Sequence, residues 1–141
     1  MADISATIRT LTIADSDVSA IVGTRMYSDV LPQKCTVPAI AYQVVSTVAN
    51  EDLVNVTALT RARIQIDCFA KTRGEANQLA EKVRIALHKK HRGNNSGQWI
   101  DEISLAAGEE HEFVQPEEGT DQRRFITTQD FFVFYQTTTT S

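Results

Sequence analysis

The hydrophobic period of the chain changes sharply at Thr72, and this change constrains the fold more than any other feature. Before Thr72, residues 58–71 alternate, and one face of the predicted strand carries Ala62, Ile64, Ile66, Cys68 and Ala70. After Thr72, apolar side chains recur every three or four positions, at Ala76, Leu79, Ala80, Val83, Ala86 and Leu87. Thr72 and Glu75 have the spacing of a capping box. The pattern predicts a strand that leads into a helix, with the helix packed back over the strand's apolar face.

The remaining segments predict further short helices and strands. Helical spacing of Ile4, Ile8 and Leu11 and the run from Asp15 to Gly23 predict two helices. Extended segments are predicted at residues 25–32, 38–48, 99–105 and 125–135, a turn at 93–97, and a basic last helical turn at His88–Arg92. Residues 109–122 are predicted to hold an acidic stretch with a loop at Pro116 and Gly119, within a hairpin region from Glu109 to Arg124. We therefore expect one α+β domain over residues 1–136, a largely antiparallel β-sheet with helices packed on one face, and a low-complexity tail at 137–141.

Composition excludes several classes of function. The 141-residue chain has a formal net charge of −4, which gives no general electrostatic attraction to nucleic acid. No apolar run is long enough to span a bilayer, and the N-terminus lacks the features of a signal peptide. We therefore expect a protein made in a cytoplasm, without a membrane partner. In that reducing compartment, Cys35 and Cys68 are predicted to be free thiols.

The sequence contains no recognisable catalytic, cofactor-binding or metal-binding motif. His88 and His91 share a face of the predicted helix, but no third ligand is nearby, so we interpret them as partners of the last helical carbonyls. Cys68 lies on the predicted buried face of its strand, which favours an inert thiol. A small enzyme or ligand-binding domain using Cys68 or the acidic loop is the alternative, and a pocket that contains Cys68, His111 and a carboxylate would favour it. Several acids are interpreted as a solvated face: Glu109, Glu110, Glu112, Glu117, Glu118 and Asp121.

The last strand is predicted to be an edge or outer strand with large apolar side chains on both faces. Phe131, Val133 and Tyr135 point one way, and Phe132 and Phe134 point the other. Either the N-terminal helices or a neighbouring subunit covers the second face. A basic patch, formed by Lys82, Arg84, Lys89, Lys90 and Arg92, contrasts with the acidic stretch. This segregation suits head-to-tail pairing in a closed ring, although ordinary surface charge explains it equally well.

Several segments resemble a family of small proteins of long-tailed bacteriophages, the tail completion or tail terminator (head–tail joining) proteins. They are Arg25-Met26-Tyr27, Leu31-Pro32-Gln33, residues 38–43, residues 61–72 and the pairs Glu75-Ala76 and Leu79-Ala80. The resemblance runs from about Leu11 to Leu87, with a weaker echo from Arg124 to Tyr135. The chain departs from the family pattern at Ala49–Leu59, which lacks a glycine-rich turn, and at His88–Gln98, which is longer and more basic.

The resemblance implies a structural role in the virion, at the junction of tail and head. It implies a ring, usually of six identical subunits, on the last ring of the tail tube, which stops tube growth and presents a surface to the head connector or stopper protein. DNA would pass through the lumen without specific binding. Another ring of the neck, such as the stopper or adaptor, is the related alternative. The expected contacts with other subunits or the tube are Glu51, Asp52, Leu53, Val54, Val56, Arg61, Arg63, Glu109, Glu110, Glu117 and Arg123.

Overall fold

The computed structural model describes residues 4–32, 35–50, 57–114 and 124–138, which form three helices and six strands. In chain order these are α1 (Ile4–Ala14), α2 (Ser16–Val22), β1 (Met26–Ser28), β2 (Ala39–Asn50), β3 (Thr57–Ala70), α3 (Arg73–Leu87), β4 (Gly93–Asn95), β5 (Gln98–Val114) and β6 (Arg124–Thr138). The predicted α+β class, with a mostly antiparallel sheet, is confirmed.

The strands form one sheet in the order β1-β2-β3-β6-β5-β4, in which only β1 and β2 are parallel. The last strand, β6, therefore lies in the interior of the sheet, and its prediction as an edge or outer strand is wrong. It pairs with β3 from Thr57↔Thr138 to Ala70↔Phe125 and with β5 on its other side. Because the pairing with β3 joins segments far apart in the chain, the apolar pattern of β6 alone did not reveal it.

All three helices contribute to a single core on one face of the sheet. The predicted alternation in β3 is confirmed, since Ile64, Ile66 and Cys68 are fully buried. The predicted apolar stripe of α3 is buried along its whole length. α1 and α2 add Ile4, Ile8, Val18 and Val22 to the same cluster, which also contains Phe131 and Val133 of β6. The N-terminal helices therefore pack on the same face as α3.

The local signals at the helix N-termini are confirmed. The Thr72 hydroxyl accepts a hydrogen bond from the backbone N–H of Glu75 at 3.1 Å, which starts α3. The Asp15 carboxylate accepts from the N–H groups of Asp17 and Val18, which starts α2. Because each cap satisfies backbone donors that the helix leaves open, these short polar side chains fix where the helices begin.

The end of α3 differs from the prediction. The helix ends at Leu87, so His88–Arg92 is not a helical turn, and Lys89 and His91 have φ values of 56° and 67°. The Nε2 atom of His91 lies 2.8 Å from the carbonyl oxygen of Ala86. This contact satisfies a C-terminal carbonyl and directs the chain into β4, where the sequence predicted only a turn.

The hairpin of β5 and β6 is longer than predicted. β5 continues to Val114, past the predicted strand end at Leu105, and residues 109–114 pair with β6 as far as Val114↔Arg124. A register shift between Leu105 and Glu109 interrupts this pairing. The rest of the predicted hairpin region, at 115–123, lies outside the described residues.

Candidate interaction surface

The sheet face opposite the helices, here called the open face, carries no helix of the described part of the chain. Its central rows are set by the register of β3 and β6, which pairs Arg61 with Phe134, Arg63 with Phe132, Gln65 with Asp130 and Asp67 with Thr128. Arg61 and Arg63 are exposed, and the two phenylalanines are partly exposed. The open face therefore combines aromatic rings with cationic side chains, a composition that is enriched at protein–protein interfaces.

Two arginines of the open face are ordered by contacts with β6. The guanidinium of Arg61 lies 4.9 Å from the centroid of the Phe132 ring, and that of Arg63 lies 5.9 Å from it. The Nε of Arg63 also donates to the Asp130 carboxylate at 2.8 Å. Cation–π contacts of this kind contribute about 0.5–1 kcal/mol at exposed sites. They hold both side chains flat over the sheet instead of extended into solvent.

A shallow apolar depression of about 230 Å³ adjoins these arginines. It is lined by Val48, Leu59, Arg61 and Phe134. Val48 is 50% exposed, and Val45 beside it is 51% exposed. Both lie at or after a β-bulge, because the register of β2 against β3 shifts between Val44 and Ser46. No sequence pattern predicted this bulge, so these exposed valines were not among the predicted contact residues.

The titratable groups are not arranged for nucleophilic chemistry. Cys68 is fully buried beneath α3, and Cys35 is buried as well; the two are not joined by a disulfide, as predicted. The hydroxyl of Thr127, the β6 partner of Cys68, donates to the Asn77 side chain at 2.7 Å and lies 3.4 Å from Nδ1 of His111. Because no substrate can reach the thiol, the hypothesis of an enzyme built on Cys68 is not supported.

The histidines at the end of α3 contact the backbone. His88 Nδ1 accepts from the N–H of Leu105 at 3.0 Å, while His91 contacts the carbonyl of Ala86. The two residues do not share a helical face, which corrects the prediction, but the interpretation of His91 as a partner of a late helical carbonyl is right. In the described part of the chain, no three metal-ligating side chains lie close enough to hold an ion.

Comparison with known proteins decides the family. The sequence profile described as "Tail completion protein gp17" matches residues 6–104, from α1 into β5. The chain belongs to this family. Among the 32 chains of solved structures that match is one from the "Virion of native gene transfer agent (GTA) particle", with 18% identity, a TM-score of 0.66, and coverage of 94% of this chain and 93% of that chain. This likeness shows a shared fold. No curated protein sequence matches the chain.

A tail completion protein has a structural role and is not an enzyme, which agrees with the sequence prediction and with the inaccessible thiol. Its candidate working surface is therefore one that contacts other proteins. Among the described residues, no helix is both long and apolar enough to cross a membrane.

The structure of this tail completion protein describes four of the eleven predicted contact residues. Arg61 and Arg63 lie together on the open face. Glu110 is exposed on β5 opposite Thr128, in the same row as Asp67. This row is four residues along β3 from Arg63, or about 13 Å at 3.3 Å per residue. Glu109 lies in β5, and its side chain is not described. Outside the described residues lie Glu51, Asp52, Leu53, Val54, Val56, Glu117 and Arg123.

The charges of the tail completion protein are separated, as the sequence predicted. Lys89, Lys90 and Arg92 are exposed after α3, whereas Glu110 and Glu112 are exposed on β5. Arg84, the basic residue in the last turn of α3, forms an ion pair with Glu81. The hydrogen bond from Arg84 lowers the pKa of the Glu81 carboxyl. The basic patch is therefore partly neutralised within its own helix, and its contact with the acidic patch of another subunit stays a prediction.

Proposed function

We propose that this protein is a tail terminator, which forms a ring, usually of six copies, on the last ring of the tail tube. The ring stops tube growth and joins the tail to the head. The observation that carries the proposal is the family match over residues 6–104, which covers most of the helical layer and the first part of the sheet. The open face supports it independently, because it offers a neighbour ordered arginines and aromatic rings.

The proposed partners are other copies of the chain, the tail tube protein and the head connector or stopper protein. A virion location is supported by the fold shared with a chain of a gene transfer agent virion. The net charge of −4 suits a conduit for DNA, because a strongly basic lumen would hold the phosphates that pass through it.

The predicted contacts outside the described residues belong to the same proposal. We propose that residues 51–56 and 109–124 contact neighbouring subunits or the tube. Replacement of residues 51–56 by Asn-Gly, a sequence suited to a tight hairpin, is expected to leave a folded protein that no longer assembles. Infectious particles with normal tails from this variant would show that the segment is not a contact.

The decisive experiment is deletion of the gene in the phage that encodes this chain, followed by electron microscopy of the lysate in negative stain. A tail terminator is required to stop the tube, so the deletion is expected to give overlong tails, and wild-type protein supplied from a plasmid should restore their length. Tails of normal length lying apart from full heads would contradict termination and would instead assign the chain to a neck ring, such as the stopper or adaptor.

A further inference from the structure

We propose that neighbouring subunits join edge to edge, with the outer edge of β5 in one copy adding a strand to the outer edge of β2 in the next. This inference rests on the proposed ring and specifies how its subunits contact each other. Addition of a strand to an exposed sheet edge is a common mode of protein recognition, in which main-chain hydrogen bonds supply affinity and side chains supply specificity.

The outer edge of β2 is largely open. β1 pairs only with Ile40, Ala41 and Tyr42, and no other described strand pairs with that side of β2. Where β1 ends, a groove of about 450 Å³ continues along β2, lined in part by Ser28, Gln43, Val44 and Thr47. Asp29, Ile4 and Ser5 of α1, and Tyr135 of β6 also line this groove, so it opens on the helix side of the sheet. The groove leaves this part of β2 accessible beyond the end of β1.

The side chains of β2 favour a partner over permanent exposure. Val44, Val45 and Val48 are 38%, 51% and 50% exposed. Between Gln43 and Ala49 the strand contains neither a charged residue nor a proline, the residues that commonly protect a solvent-facing edge from pairing. Beyond the β-bulge between Val44 and Ser46, an edge of this composition is a template for another strand.

The outer edge of β5 is open at the other side of the sheet. β4 covers only residues 98–100 of β5. The turn after α3 covers the next part, since the N–H of Lys89 donates to the carbonyl of Ile103 at 2.6 Å and His88 accepts from Leu105. From Ala106 to Val114, no described strand pairs with this edge. Because of the register shift, these nine residues lie opposite seven positions of β6, from Asp130 to Arg124, which correspond to about 23 Å at 3.3 Å per residue.

Charge selects the combination of β5 with β2. Glu110 and Glu112 are exposed on β5, so two β5 edges placed side by side would bring like charges together. β2 itself is uncharged from Gln43 to Ala49, and the exposed Arg61 lies in the next strand; the one acid at this edge is Asp29, at the end of β1. The two edges are also at opposite ends of the sheet. A closed ring requires two different complementary surfaces on each subunit, and these edges satisfy that requirement.

The test is cross-linking in assembled particles. Ser46→Cys on β2 and Glu112→Cys on β5 are combined in one chain. Both positions are exposed on the open face, since Ser46 pairs with Arg63 and Glu112 lies two residues after Glu110. Purified particles are treated with a short bis-maleimide able to join neighbouring strands, which lie about 4.8 Å apart. We expect a ladder of covalent oligomers on a denaturing gel. Each single variant should give none, and the wild type serves as background because Cys35 and Cys68 are only 6% and 0% exposed.

A second pair, Gln43→Cys with Glu110→Cys, repeats the test at another position in case the first does not assemble. If particles of normal tail length contain the variants but neither pair gives a ladder, edge-to-edge joining is wrong while the terminator function stands. Dimers from Ser46→Cys alone would also refute it, since they would show two β2 edges in contact. If deletion of the gene leaves tail length unchanged, the proposed function itself fails, whatever the cross-links show.

Discussion

Two consecutive phenylalanines of β6 lie on opposite faces of the sheet and make a matched pair of substitutions. Phe131 is 1% exposed in the core, and replacement of such a residue by alanine costs about 3–5 kcal/mol. Phe132 is partly exposed on the open face beneath Arg61. Full burial of such a side chain contributes about 1.5–3 kcal/mol to the free energy of unfolding, and we take half of this for the partly exposed Phe132. With about 0.5–1 kcal/mol from the cation–π contact, Phe132→Ala should lower the free energy of unfolding by about 1–2.5 kcal/mol. We expect Phe131→Ala to destabilise the protein by about 2 kcal/mol more than Phe132→Ala.

The measurement is urea unfolding followed by the fluorescence of Trp99, the single tryptophan. With a slope of about 2 kcal/mol per molar urea, the two midpoints should differ by about 1 M. At a temperature where both variants are folded, Phe132→Ala should be incorporated into particles less efficiently than Phe131→Ala. Equal midpoints, or a lower midpoint for Phe132→Ala, would show that the assignment of the two faces is wrong. Normal assembly of Phe132→Ala would remove the open face from the list of contact surfaces.

Further predictions concern local contacts. Thr72→Ala should lower the free energy of unfolding by about 1 kcal/mol through loss of the α3 cap, whereas Thr72→Ser should retain most of it. A double-mutant cycle of Arg63→Ala and Asp130→Ala should give a coupling of about 0.5–1 kcal/mol that decreases with salt, because the two side chains are 45% and 19% exposed; a coupling that salt does not change would contradict this. Cys35 and Cys68 should react with a thiol reagent only as fast as the protein unfolds; rapid labelling of native protein would contradict their burial.

The features that the sequence predicted well depend on neighbours in the chain. The faces of β3 follow from its alternation, and the start of α3 follows from a hydroxyl three residues before the amide that it caps. Each of these features is determined by residues only a few positions apart in the chain. The same is true of Asp15 and Gly23, which bound α2 as predicted. The fold class could be predicted because each of these elements has only one apolar face to bury.

The features that the sequence did not predict depend on contacts between distant residues. Lys89 and Lys90 are good helix formers, yet α3 ends before them, because His88 and Lys89 bond to β5 and His91 contacts Ala86. The predicted stop, Gly93, lies six residues after Leu87. Propensity favoured a longer helix, and tertiary hydrogen bonds shortened it.

The position of β6 explains why the sequence predicted a second apolar face on this strand but not which contacts that face makes. Phe132 and Phe134 were correctly predicted to face away from Phe131. In an edge strand, however, their face and the sheet edge would have formed a single surface for contacts with all partners. With β6 inside the sheet, the open face and the two sheet edges become separate surfaces. A ring subunit needs lateral contacts with its neighbours and axial contacts with the tube or the connector. If the edges of β2 and β5 make the lateral contacts, Arg61, Arg63 and the phenylalanines beside them remain available for an axial partner. Loss of Phe132 should then weaken attachment of the ring to the particle more than cross-linking between its subunits.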